Sequence, residues 1–247
     1  LEFLVTRRWA PQLDEPVLGA LAPIYGTLLT SFIAMLIAVP FGLGIAIFLT
    51  ELCPLSLRRP IRVAVELLAG IPSIIYGMWG FFVLGPFLAH YVEPPIAAAV
   101  QNIPVLNVIF GGEMISNISL FNASLVLAIM ILPFITAIAV DVFSTVPAVL
   151  KESAYGIGCT TWEVVTNVVV PYARVGLVGG VMLALGRALG ETMAVTFIIG
   201  NSFKIDGSIF SPGTTISAAI ASEFAESSDL HRSALMYLGL LLFILTF

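Results

Sequence analysis

Polar and apolar residues alternate along this chain in long blocks, and the blocks themselves define its elements. From Ile24 to Leu49 no charged residue occurs. At 1.5 Å per residue such a run crosses the hydrocarbon core of a bilayer with some tilt. Pro40, Gly42 and Gly44 interrupt it, which membrane helices accept when neighbours satisfy the freed backbone groups. Further apolar runs cover 67–89, 120–140 and 175–200, and 233–247 begins a fifth. The second holds Gly70-Ile71-Pro72-Ser73 and Gly77 and is predicted to be kinked or broken. Between the runs, 90–119 reads as an extramembrane loop with Glu93 and Glu113 but no Lys or Arg, and Pro94, Pro95 and Pro104 argue against one continuous helix there. A second loop, 201–232, holds Lys204, Asp206, Glu223, Glu226, Asp229 and His231. Residues 1–22, with Pro11 and Pro16, are mixed in polarity, and Trp9 suits a membrane interface.

Composition sharpens this picture. The 247 residues are 59% hydrophobic and 10% charged, with mean hydropathy +1.07. Soluble domains carry about 25% charged residues, so the expectation is an all-α, polytopic membrane protein. The net charge of −5 names no partner, and nothing points to nucleic acid. The chain opens at Leu1 and stops inside an apolar run at Phe247. A first helix and a C-terminal tail are therefore expected to be missing, giving about six spans in all.

Basic residues set the orientation. Loops with Arg58, Arg59, Arg62, Lys151 and Arg174 alternate with loops carrying only Lys204 and Arg232, so the positive-inside rule puts the segment at about 143–173 in the cytoplasm. Arg7 and Arg8 fall outside, against the rule, unless a preceding helix sets topology first. Cys53 and Cys159 then sit on the reducing side and are expected as free thiols. Two Cys and two His do not make a metal site, and His90 and His231 are expected as solvated loop residues.

The segment Glu152-Ser153-Ala154-Tyr155-Gly156-Ile157-Gly158, reaching Pro171, is a polar handle joined to the fourth run. A Glu in a first helical turn complements the macrodipole. Small residues at Ser153 and Ala154 allow another surface to approach, and Gly158 tolerates a turn that a side chain resists. The competing reading is an ordinary amphipathic loop between spans. In the fourth run Arg187 and Glu191 stand four positions apart, so on one helix they share a face and reach each other. A charge at mid-bilayer costs about 2.5–3.5 kcal/mol on insertion scales. The pair is either an ion pair fixing helix packing, or an Arg that meets an anion with a Glu orienting its planar fork of donors. Gly186-x-x-x-Gly190 adds a face that lets another helix come close. No Gly-x-x-x-x-Gly-Lys-Ser/Thr, Gly-x-Ser-x-Gly or His-Glu-x-x-His sequence occurs, so neither an NTPase loop nor a hydrolytic centre is expected in this chain.

Three stretches carry a family resemblance. Glu152, Ala154, Gly158 and Pro171 fit the cytoplasmic-loop pattern of ABC-importer permeases, with Ser153, Val168 and Val170 as mild departures. Gly186-Arg187-Ala188-Leu189-Gly190-Glu191-Thr192-Met193-Ala194-Val195 with Gly200-Asn201, Ala69 to Gly77, and Ser211-Pro212-Gly213-Thr214-Thr215-Ile216 with Glu223-Phe224 resemble phosphate ABC transporter permeases of the PstC type. The similarity covers nearly the whole chain. It implies a type-1 permease helical bundle over 23–247, preceded by an extracytoplasmic segment at 1–22, in a bacterial inner membrane. It also implies a heterodimer with a second, PstA-type permease, a separate cytoplasmic ATPase that holds ATP and Mg, and an extracytoplasmic phosphate-binding protein. The chain itself would bind no cofactor and catalyse no reaction. Glu152, Ser153, Ala154, Gly158 and Pro171 are the implied ATPase-coupling residues, and Ser73, Arg187, Glu191 and Thr192 the candidate substrate path. A permease for molybdate or sulfate, or an ion-coupled secondary carrier, remains as the alternative reading.

Overall fold

Five helical runs among the described residues are long and apolar enough to cross a membrane: Leu21–Leu52, Ser73–Val100, Leu120–Ser144, Thr161–Gly190 and Asp229–Thr246. The computed structural model describes residues 2–6, 8–11, 17–100, 103, 107, 109–111 and 118–247; Arg7, Pro16, Pro104 and Glu113 lie outside them. The principal elements are α1 (Leu21–Ile47), α2 (Leu55–Ala69), α3 (Ser73–Trp79), α4 (Glu93–Val100), α5 (Leu120–Ser144), α6 (Ala148–Gly156), α7 (Thr161–Val164), α8 (Val170–Gly190), α9 (Met193–Ile199), α10 (Ile216–Glu223) and α11 (Asp229–Thr246).

The expected break at Gly70-Ile71-Pro72 is present. The N–H groups of Gly70 and Ile71 bond back to Leu67 and Leu68 and close α2, and Pro72 precedes the next span. The expected loop beginning at residue 90 is not: the span that starts at Ser73 continues to Val100. Two π-helical turns, Gly80–Leu84 and Leu88–Val92, shift the hydrogen-bond ladder ahead of Pro94 and Pro95. The π-turn Leu88–Val92 runs directly into α4, so the helix continues through both prolines. As a result Glu93 is fully buried in a helix rather than part of an extramembrane loop.

The chain divides into two compact units. The first comprises Leu1–Ala34, Pro72–Leu127 and Ala188–Phe247. Within it α9 packs on α3. Gly77 makes this approach possible, since a Cβ there would stand 2.9 Å from the Ala194 Cα. The stretch 208–219, expected in an outer loop, is buried. Its backbone is tied down by Leu120 N–H to Ser211 O, Phe121 N–H to Ile209 O and Ile216 N–H to the Thr27 hydroxyl. Irregular backbone is tolerated at such depth only where protein covers it. The second unit, Met35–Ile71 with Ala128–Arg187, has a core of Leu49, Phe143, Val164, Val169 and Ala173.

Candidate functional site

The handle folds as a helix, a turn and a second helix. α6 ends in paired bonds from Cys159 N–H to Ala154 O (3.1 Å) and Gly158 N–H to Tyr155 O (2.9 Å). This is a Schellman closure, and Gly158 supplies its left-handed residue at φ +92°. Thr160 then caps α7: its hydroxyl accepts from Glu163 N–H, while the Glu163 carboxylate accepts from Thr160 N–H at 2.7 Å. The π-turn Val165–Val169 follows. It carries the helix through Pro171, so this proline lies on the exposed side of α8 rather than ending a loop.

Glu152, Ser153 and Gly158 are exposed. Ala154 is not: it packs inward with Val164 and Val169, so it supports the handle from beneath instead of lying on its surface. The outer face is instead made apolar by Ile157, 83% exposed, and Trp162, 70% exposed. Sequence reasoning passed over both, although an unpaired Ile and Trp in a polar segment were the available signal.

The Arg187 region differs from expectation. α8 stops at Gly190, and α9 starts afresh at Met193. Glu191 and Thr192 separate them because side chains take over from the ladder: the Thr192 hydroxyl donates to Gly190 O (3.2 Å), and the Glu191 carboxylate accepts from Ala194 N–H (3.3 Å). Orphaned groups at both helix ends are thereby satisfied locally. The single helical face required for an i, i+4 pair is therefore absent. Arg187 lies in the last turn of α8, where a cation complements the helix C-terminus. Its guanidinium stands 5.4 Å from the Phe134 ring centroid, and no carboxylate of its own unit pairs with it. Glu191 serves the N-terminus of α9. Ser73 and Thr192 sit at the N-terminal ends of α3 and α9, which pack together through Gly77 and Ala194.

Two outer residues also gain partners. His231 Nε2 is 2.8 Å from Glu223, and the same carboxylate oxygen accepts from the Trp9 indole at 2.9 Å. Trp9 stacks on Phe203 at 5.0 Å. His231 is thus not an isolated loop histidine. Among the described residues no group of His, Cys, Asp and Glu is arranged to hold a metal ion.

Against this geometry, residues 38–247 match the family of binding-protein-dependent transport system inner membrane components. The chain belongs to that family. This permease is 64% identical over 246 residues, 99% of its length and 74% of the relative's, to the phosphate transport system permease protein PstC of Mesorhizobium japonicum. It is 57% identical to the protein of the same name in Pasteurella multocida, over 99% of the permease and 75% of the relative. A probable phosphate transport system permease protein PstC of Methanocaldococcus jannaschii is 36% identical over 99% of the permease and 78% of that relative. Among solved structures, an inward-facing MetNI methionine ABC transporter matches with TM-score 0.64 at 19% identity, over 91% of the permease and 88% of that chain. The permease thus has the fold of ABC-transporter membrane subunits and is a multi-pass membrane protein.

Proposed function

We propose that this chain is the permease subunit of an ATP-driven importer of inorganic phosphate in a bacterial inner membrane. The observation that carries the reading is 53–64% identity, over 99–100% of the chain, to relatives named phosphate transport system permease proteins. The chain pairs with a second permease to form the path and receives phosphate from an extracytoplasmic binding protein. A separate ATPase, with its own ATP and Mg, docks on the handle.

Each part has a task in this reading. Ile157 and Trp162 offer an apolar knob of the kind that anchors a protein interface, held by the Schellman turn and capping box. Glu152 and Ser153 flank it. Glu191 and Thr192 hold the break after α8. That leaves the Arg187 fork, stacked on Phe134 and without a carboxylate of its unit, available to a tetrahedral oxyanion. Ser73 is proposed as a path residue on the family resemblance alone.

Affinity purification through a tag on this chain tests the assembly. The expected co-purifying subunits are a second permease and an ABC-type ATPase. Recovery of a chain that transports anions alone, driven by a proton or sodium gradient, would establish the secondary-carrier alternative instead. Competition of labelled phosphate uptake by molybdate and sulfate decides among oxyanions.

A further inference from the structure

Within the second unit a cavity of about 240 Å³ lies where two spans end, and it is lined by Arg58, Arg62, Lys151, Thr50, Ser144 and Phe143. Three cations around one small cavity is an unusual arrangement at a membrane boundary, and their existing partners differ. Lys151 Nζ is 2.5 Å from Glu51. Arg62 is shared between Glu66 (2.9 Å) and Asp141 (2.7 Å). Arg58 has no carboxylate in this unit: its Nη2 donates to Thr50 O, and its Nε is buried without a hydrogen-bond partner. Buried donors are nearly always satisfied in folded proteins. Lys151 and Arg62 are thus paired, whereas Arg58 brings to the cavity a guanidinium with no direct carboxylate partner and one idle donor, beside the Ser144 hydroxyl.

We infer that this cavity binds one phosphate group. A guanidinium without a carboxylate partner matches the oxygens of a phosphate geometrically, and basic pockets at the ends of membrane helices take anionic headgroups. Thr50 belongs to the π-turn that closes the first span, and Ser144 is the last residue of α5, so the pocket lies at headgroup depth. The same chemistry is offered by an anionic phospholipid headgroup and by free inorganic phosphate. The site is separate from Arg187, and the inference stands on this unit's residues whichever anion the permease carries. Because Lys151 belongs to α6, occupancy of the cavity would fasten the handle to α2 and the end of α5.

The test uses the purified transporter in nanodiscs. In one arm, native mass spectrometry counts phosphatidylglycerol retained by the permease against a phosphatidylcholine background. In the other, labelled inorganic phosphate is titrated in phosphatidylcholine nanodiscs, in an Arg187→Gln background so that the proposed transport path does not contribute. Arg58→Gln removes the idle donor and the charge, and Ser144→Leu fills the cavity without changing charge. Each is expected to weaken binding about tenfold or more in the arm that detects the ligand. Arg59→Gln, an exposed neighbour that does not line the cavity, is expected to stay within about twofold. Binding in the lipid arm alone identifies a headgroup site, and binding in the phosphate arm alone identifies a free-anion site. If Arg58→Gln and Ser144→Leu both match the parent in both arms, the inference is overturned. Near-parental phosphate uptake by Arg187→Gln with normal Arg58-dependent binding would instead count against the substrate reading alone.

Discussion

The turn after α6 and the break after α8 both follow a helix rich in small residues, yet they are built differently. At Gly158 the backbone does the work: a left-handed residue at φ +92° closes two hydrogen bonds, and no side chain is needed. At Gly190 the glycine is still helical, and the break is made by the Thr192 hydroxyl and the Glu191 carboxylate. A backbone-coded turn is rigid and suits a part that transmits force to a partner. A break held by two polar side chains can be remade, which suits the substrate path proposed for this segment.

The largest expected effect tests what the broken segment is for. If it leaves the Arg187 fork available to an anion, Arg187→Gln lowers phosphate uptake by about two orders of magnitude, the upper range for loss of charge-assisted hydrogen bonds. Assembly with the ATPase, read by co-purification, should stay normal. Near-parental uptake would reduce Arg187 to a packing residue over Phe134.

Next comes the turn itself. Gly158→Val forces a branched side chain into the left-handed region at about 1–3 kcal/mol, and coupled uptake should fall about tenfold. Gly156→Ala, where an added Cβ meets nothing within 4 Å, should be close to neutral. Equal effects from the two would remove the special role of the turn. A similar loss, about tenfold in ATPase affinity, is expected for Trp162→Ala. Its side chain is 70% exposed, so membrane insertion and thermal stability should not move. A fall in stability instead would mean that Trp162 serves the fold.

The smallest effect is expected at Glu191→Gln. The amide oxygen still accepts from Ala194 N–H, so mainly the charge–dipole term is lost, about 0.3–1 kcal/mol. Uptake should fall less than about fivefold. Thr192→Val, which removes the hydroxyl that holds Gly190 O, should lower it somewhat more. If Glu191→Gln is as damaging as Arg187→Gln, the carboxylate does more than cap α9.

These contrasts also mark what the sequence makes legible. Gly158 is readable because a backbone need selects glycine, and hydropathy blocks expose the spans because the bilayer imposes length. Arg187 and Glu191 mislead because a spacing of four implies a shared face only on an unbroken helix, and Gly190-Glu191-Thr192 breaks it through side-chain bonds that no periodicity reveals. Pro94 and Pro95 mislead in the opposite sense, since the π-turn Leu88–Val92 lets the helix run through them and buries Glu93. Ala154 is small for packing beneath the handle. Its exposed counterparts, Ile157 and Trp162, become visible only once the turn is folded.

The central claim is tested most directly by labelled phosphate accumulation in proteoliposomes holding this permease with its second permease and ATPase, supplied with the binding protein. The account predicts accumulation that requires both internal-face ATP and the binding protein, and that collapses in Gly158→Val while ATP hydrolysis by the ATPase alone continues. Phosphate accumulation without ATP or without the ATPase, or ATP-driven uptake indifferent to Gly158→Val, would contradict it.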